Sequence, residues 1–385
     1  ARRCSIATAA RGASATMPAM PNARATPTSP PRRYAVVGAG LAGITCARTL
    51  KQAGHEVLLL EKAGTVGGRM TSRQSAVGSF DAGAQYFTVR DARFQRALDT
   101  APQAFQRWTT NAVRVLDPLG RVAEAALPRP EAHWVGSPSM DTLARQWAQP
   151  LVAEGTVELD TVVDRLEPDA LDARKWQLRT LGPQDGAVHV HSGFDAVVLA
   201  IPAAPASTLL GRSPPGPGLV RALRSAPAYV RRLRPVDIAP CWTLMLAFPQ
   251  ALQPGLTHLG PQWNAALSTH HRIAWLARES SKPGRGPVER WTVQASPAWS
   301  AEHLGDDEQR IEAKLLKAFA EVTGIRAQPA HTEVRRWRYA KTLAPLGRSH
   351  LWDAQIGLGL CGDWCLGHRV EDAFVSGLEL ALAAA

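Results

Sequence analysis

Uninterrupted apolar runs alternate along this chain with stretches of helical spacing. YAVV (34–37) is apolar throughout, as a strand buried on both faces would be. After GAGLAG (38–43), ITCARTLKQAG steps Ile44, Ala47, Leu50 and Lys51 round a predicted helix ending at Gly54. HEVLLLEK reads as a second apolar strand ending at Glu61. FDAVVLAIP (194–202) and IGLGL (356–360) repeat the buried-strand pattern far downstream, and a final helix opens at Arg369. Between them, CWTLMLAF (241–248) and RWTVQA (290–295) predict antiparallel strands. LGDDEQRIEAKLLKAFAEVTG (304–324) predicts an amphipathic helix with Asp306 as its N-cap.

The first strand, helix and second strand carry GxGxxG, and the three glycines have separate physical tasks. Gly38 permits a tight turn, Gly40 lets the backbone approach a pyrophosphate, and Gly43 lets helix pack on strand. The first helical turn, with Leu41 and Ala42, then points free N–H groups and partial positive charge at the phosphates. Glu61 stands where an acid accepts hydrogen bonds from a ribose, which disfavours a 2′-phosphate and leaves FAD or NAD. KAGTVGGRMTSR follows, and its Gly67–Gly68 pair and Arg69 offer a second close approach and a cation to the same pyrophosphate. A simple NAD enzyme has no need of these, so FAD is expected. FDAGAQYFTVRD (80–91) suits a planar ring lying against backbone; a strand and turn with Tyr86 and Phe87 in the core is the alternative, which fits Phe87 better than it explains Gln85.

CGDWCLGHRVEDAF (361–374) poses a choice between a metal site, a redox pair and cofactor binding. Strand, Gly362, Asp363, loop and helix follow in order, which places Asp363 to accept from a sugar-alcohol chain. The backbone of Arg369, Val370 and Glu371 then faces an electron-rich ring edge. Cys361 and Cys365 are separated by three residues, with no second pair and no HxxxH, so no metal is expected. Cys46 and Cys361 read as small buried residues and Cys365 as a loop thiol.

GAGLAG, EKAGTVGGRM, FDAGAQYF and CGDWCLGHRVEDAFVSG together resemble the flavin amine oxidase superfamily, and within it the bacterial renalases. WVGSPSM (134–140), WLARESSKPGRG (275–286), WSAEHL (299–304) and RRWRYA (335–340) add to the likeness, which spans Tyr34 to Gly377. The resemblance implies non-covalent FAD; no cysteine stands between Cys241 and Cys361, where covalent members are attached. It implies oxidation of isomeric dihydronicotinamide dinucleotides to the ordinary oxidised form, with oxygen reduced to hydrogen peroxide. It assigns Gly38, Gly40, Gly43, Glu61, Lys62, Gly68 and Arg69, with Met70 beside them, to the ADP half. Val163 would meet the adenine, and Gln85, Tyr86, Asp363, Arg369, Val370 and Glu371 would surround the flavin half. Trp337 and Tyr339 are substrate-side candidates, and so is Gln294, which stands where the family often has histidine. Trp242, Trp275 and Trp337 are candidates for an aromatic wall. Two other functions stay open: a flavin amine oxidase or desaturase, and a non-enzymatic FAD-bound protein.

The fold class expected is α/β: a Rossmann-like FAD-binding domain interleaved with a smaller α+β substrate domain containing an antiparallel sheet. The first collects residues 34–78, 151–225 and 345–385, the second 79–150 and 226–344. Composition changes this picture little. The 385 residues carry a net charge of +11, of which six arginines within 1–33 supply more than half. That segment holds no acid, cannot bury a core, and reads as a disordered extension. An upstream extension with the start at Met17 or Met20 is the favoured origin; an organellar leader is the alternative. RRLR (231–234) reads as a solvated strand entry, so no nucleic-acid partner is expected. No apolar run reaches the length of a membrane span, and five scattered cysteines fit a reducing, cytoplasmic setting.

Overall fold

A computed structural model of the chain describes residues 30–108, 113–123, 131–182, 186–212, 228–253, 259–261 and 263–385. The expected disordered extension lies almost entirely outside these residues.

Arg33–Val37 sits inside a six-stranded sheet, paired in parallel with Ala196–Leu199 on one side and Glu56–Leu60 on the other. Leu358–Leu360 and Val157–Glu158 extend it in parallel, and Leu351–Asp353 closes one edge antiparallel. The central strand is buried on both faces, which is why its sequence does not alternate. Tyr34 and Val36 join a core with helices Leu41–Gln52, Asp141–Ala153 and Val370–Ala384. Ala35 and Val37 join a core on the other face with helix Ala203–Arg212 and the three-stranded sheet Val162–Pro168, Trp176–Leu181, Val188–Phe194.

A seven-stranded sheet runs His331–Ala344, Asp237–Phe248, Glu289–Ala295, Ile273–Arg278, Ala265–Ser268, Val113–Leu116, Val122–Ala123. Its apolar face packs on helices Pro297–Glu302 and Glu308–Thr323.

Several expectations need correction. Asp307, not Asp306, caps the helix, accepting from Arg310 N at 2.9 Å; Asp306 instead meets His303, Arg310 and Lys314. RRLR is no strand entry: residues 228–233 are helical and the strand begins at Asp237. The boundary drawn at 150 falls inside helix Asp141–Ala153, whose Leu143, Ala144 and Trp147 share a core with helix Leu41–Gln52.

Candidate cofactor and substrate site

The ends of three parallel strands deliver the glycine loop, Glu61 and Asp363 to one edge of the six-stranded sheet. Gly38 has φ +102°, and a Cβ there would lie 2.7 Å from Ala200 O. A Cβ on Gly43 would lie 1.9 Å from Gly38 O, so helix and turn touch backbone to backbone. Gly40 differs, because a Cβ there meets nothing within 4 Å. The helix begins at Gly40 with no side-chain cap, so its N-terminal dipole opens into that space. Leu41 and Ala42 form the buried first turn. Glu61 is buried beside the loop, accepting from Ala39 N at 2.7 Å and Ala63 N at 3.0 Å. The second glycine pair abuts the first: Gly67 N donates to Ala39 O at 2.8 Å, and a Cβ on Gly68 would lie 3.1 Å from Gly40 Cα. Met70 is buried, Lys62 is exposed, and Val163 lies half-buried just past Thr161, whose N–H reaches Glu61 O at 2.8 Å. An open cradle bounded by glycine backbone, a helix start and a buried acid fits a dinucleotide cofactor.

Arg69 and Asp363, expected to contact different parts of the cofactor, form a two-pronged ion pair with each other at 2.9 and 2.5 Å. Arg69 Nη1 also reaches Ala340 O at 3.4 Å. Asp363 follows Gly362, whose N–H is held by Ser376 Oγ at 2.9 Å. Asp363→Asn weakens this pair and leaves Arg69 without its counter-charge. About tenfold weaker FAD retention is the expected result in a dialysis assay of the purified holoprotein.

The last helix comes close to the first, since a Cβ on Gly377 would lie 2.2 Å from Ala42 O. Val370 is its first residue, and Asp372 accepts from Arg369 N at 2.9 Å. The Glu371 carboxylate is a structural clamp: it accepts from Arg90 N and Asp91 N at 2.6 and 2.7 Å and pairs with Arg369 at 3.0 Å. Cys365 is fully buried rather than a loop thiol, as are Cys46 and Cys361. Burial raises the Cys365 pKa; contact with Cys46, then burial, raises that of Cys361. The Cys361 and Cys365 thiols stay protonated and inert. Among the described residues no group of three or more His, Cys, Asp or Glu could hold a metal ion.

Behind the FDAGAQYF loop lies a charge cluster that sequence reading missed. Asp81, Glu279, Lys282 and Arg285 are all buried. Lys282 Nζ reaches Asp81 at 3.0 Å and Glu279 at 2.9 Å; Arg285 Nη2 reaches Asp81 at 2.6 Å. Ser72 Oγ and Met140 N also donate to Asp81, and Thr292 Oγ1 to Glu279. Burial alone would raise the Asp81 carboxyl, but the charges of Lys282 and Arg285 outweigh it and hold the pKa at about 2. Gln85 belongs to this cluster: its side chain donates to Asp81 O and Gly83 O and accepts from Lys282 at 3.3 Å. Its amide is thus spent on the loop's own backbone and on Lys282.

Two other candidates hold the same loop. Gln294 Nε2 donates to Gly83 O at 2.7 Å, and Trp337 Nε1 to Ala82 O at 2.9 Å. Tyr86, half-buried, packs at a tilt against His133 at 4.1 Å and Trp275 at 5.5 Å between ring centroids. Burial raises the Tyr86 pKa and lowers that of His133, so both are neutral at pH 7. Trp242 is no wall residue: it is wholly buried and bonds His303 O. Tyr339 lies between Trp337, opposite Cys241, and Lys341, opposite Ala239; this is a register shift of the kind that re-aims side chains near active sites.

The chain matches the family model of an NAD(P)-binding Rossmann-like domain over residues 36–116. It matches that of flavin containing amine oxidoreductases over residues 133–384, well over half its length. It resembles an L-amino acid oxidase from Cerastes cerastes, 49% identical over 45 residues, 12% of this chain and 9% of that protein. It also resembles a hydroxyneurosporene desaturase from Cereibacter sphaeroides, 44% identical over 59 residues, 15% of this chain and 12% of the other. The chain thus matches only a small share of these relatives. A solved structure of cyclohexylamine oxidase from Brevibacterium oxydans IH-35A shares the fold, with TM-score 0.67, 12% identity, and 92% of this chain and 99% of that one covered. The chain belongs to the flavin containing amine oxidoreductase family, and its cofactor is FAD.

Proposed function

We propose that the protein is a renalase-like FAD-dependent oxidase of isomeric dihydronicotinamide dinucleotides. The substrate loses a hydride and becomes the ordinary oxidised nicotinamide; oxygen takes up two electrons and two protons and leaves as hydrogen peroxide. FAD supplies the two-electron acceptor. Aromatisation of the substrate ring drives the step, so no side-chain base is required and the protein's part is orientation and electrostatics. Gln85, Gln294 and Trp337 fix the backbone of residues 81–83. Tyr86, half-buried against His133 and Trp275, offers an aromatic face. Glu61 would hold the ribose and the Gly38–Gly43 turn the pyrophosphate.

The observation that carries this reading is the pairing of the carboxylates around the loop. Asp81 and Glu279 are locked by Lys282 and Arg285, and Glu371 by Arg369 and two backbone N–H groups. An ammonium substrate would find no unpaired acid among these three. The named relatives keep an amine or apolar substrate as the rival reading. Peroxide release under air tests them: isomerised NADH is expected to support it, and pure NADH and a panel of amines are not. Peroxide from an amine alone would overturn the proposal.

A further inference from the structure

Strand His331–Ala344 forms one edge of the seven-stranded sheet and carries Arg335, Arg336, Arg338 and Lys341 against a single carboxylate, Glu333. Most of this charge is accounted for. Arg336 donates to Leu304 O and lies over Trp242. Arg338 and Lys341 are exposed to solvent. Glu333 is occupied by Arg73 at 2.7 Å. Arg335 stands apart: it is half-buried, yet its guanidinium forms no hydrogen bond or ion pair among the described residues. Its guanidinium carbon lies 4.3 Å from the centre of the Trp337 ring. Burial, and then the charge of Arg73, lower its pKa, but a guanidinium remains charged.

A partly desolvated cation whose only offsets are the Trp337 ring and the more distant charge of Glu333, itself taken by Arg73, has an anion position to spare. Stacking on the indole holds the guanidinium plane and leaves its edge N–H groups free, the geometry that matches a phosphate with two parallel bonds. The position also fits. Trp337 bonds Ala82 O, and its Cζ2 lies 3.3 Å from where a Gly83 Cβ would stand. Arg335 is thus one indole ring away from the loop that carries Tyr86.

We propose that Arg335, stacked on Trp337 and flanked by Arg73, is an anion-binding subsite that takes a phosphate of the dinucleotide substrate. This rests on the dihydronicotinamide reading above. It makes Arg335 the residue that separates a dinucleotide from a bare ring, through a part of the substrate that does not react.

The test uses the holoprotein and ADP-ribose, which carries the pyrophosphate but cannot donate hydride. Binding is followed by perturbation of the visible flavin spectrum, for wild type, Arg335→Gln and Arg335→Lys, with short-chain carboxylates as competing anions. Arg335→Gln is expected to weaken ADP-ribose about tenfold to a hundredfold, and Arg335→Lys less. KM for the dinucleotide isomer should rise with kcat unchanged, while the phosphate-free riboside isomer is oxidised as by wild type. Equal ADP-ribose affinity in wild type and Arg335→Gln would overturn the subsite. Displacement of ADP-ribose by a carboxylate as tight as ADP-ribose itself would overturn the assignment to phosphate. If no dihydropyridine reduces the flavin but ADP-ribose binding still depends on Arg335, the reaction fails and the subsite stands.

Discussion

Lys282→Met is expected to destabilise the protein by about 3–5 kcal/mol, the cost of removing one partner from a buried ion cluster. The substitution conserves volume but leaves Asp81 and Glu279, both enclosed, with Arg285 as their nearest counter-charge. It also removes the ammonium that Gln85 accepts from, so the FDAGAQYF loop loses its rear anchor. Urea unfolding of the two proteins at pH 7 measures the difference, and a loss under about 1 kcal/mol would contradict the role given to the cluster. The same cluster predicts a pH dependence. The Asp81 pKa is depressed to about 2, below the unfolded value of about 3.9, so its contribution is fully present above pH 4. It is lost as pH falls through 2. Asp81→Asn should be less stable than wild type at pH 7, with the gap narrowing as both are acidified.

Gly40→Val is expected to leave the fold intact and remove the cofactor. The residue has φ −72° and ψ 175°, extended backbone that valine adopts without strain. A Cβ there would meet nothing within 4 Å. Apo stability should therefore change by no more than about 1 kcal/mol. That same space is the approach route for a pyrophosphate, so FAD affinity should fall by about a hundredfold or more. Fluorescence titration of apoprotein with FAD reads the affinity, and thermal unfolding of the apoprotein reads the fold. Retained FAD in a folded Gly40→Val protein would place the phosphates elsewhere.

The cofactor half of the site was legible in the sequence because it is local. Gly38, Gly40, Gly43 and Glu61 lie within one strand–helix–strand unit, where residue order alone fixes geometry. The place of the C-terminal Gly362–Asp363 pair at a strand end was legible for the same reason, but the pairing of Asp363 with Arg69 was not. What escaped was non-local. Asp81 meets Lys282 and Arg285 across some two hundred residues, and no spacing rule announces that these charges are buried together. The partners of Gln85 escaped through the same cause: a polar residue in a ring-facing loop looks free until they are known. Asp306 and Asp307 are equally good caps by type, and only the helix start chooses between them. Cys365 looked like a loop residue, but its turn is enclosed by the core that also holds Trp364.

The most direct test is anaerobic. Purified yellow protein is mixed rapidly with isomerised NADH, with pure NADH, and with each amine of a panel, while the visible flavin band is followed. The account predicts bleaching by the isomers alone, with NAD⁺ released in an amount equal to the flavin reduced. Bleaching by an amine, or by none of the donors, would contradict it.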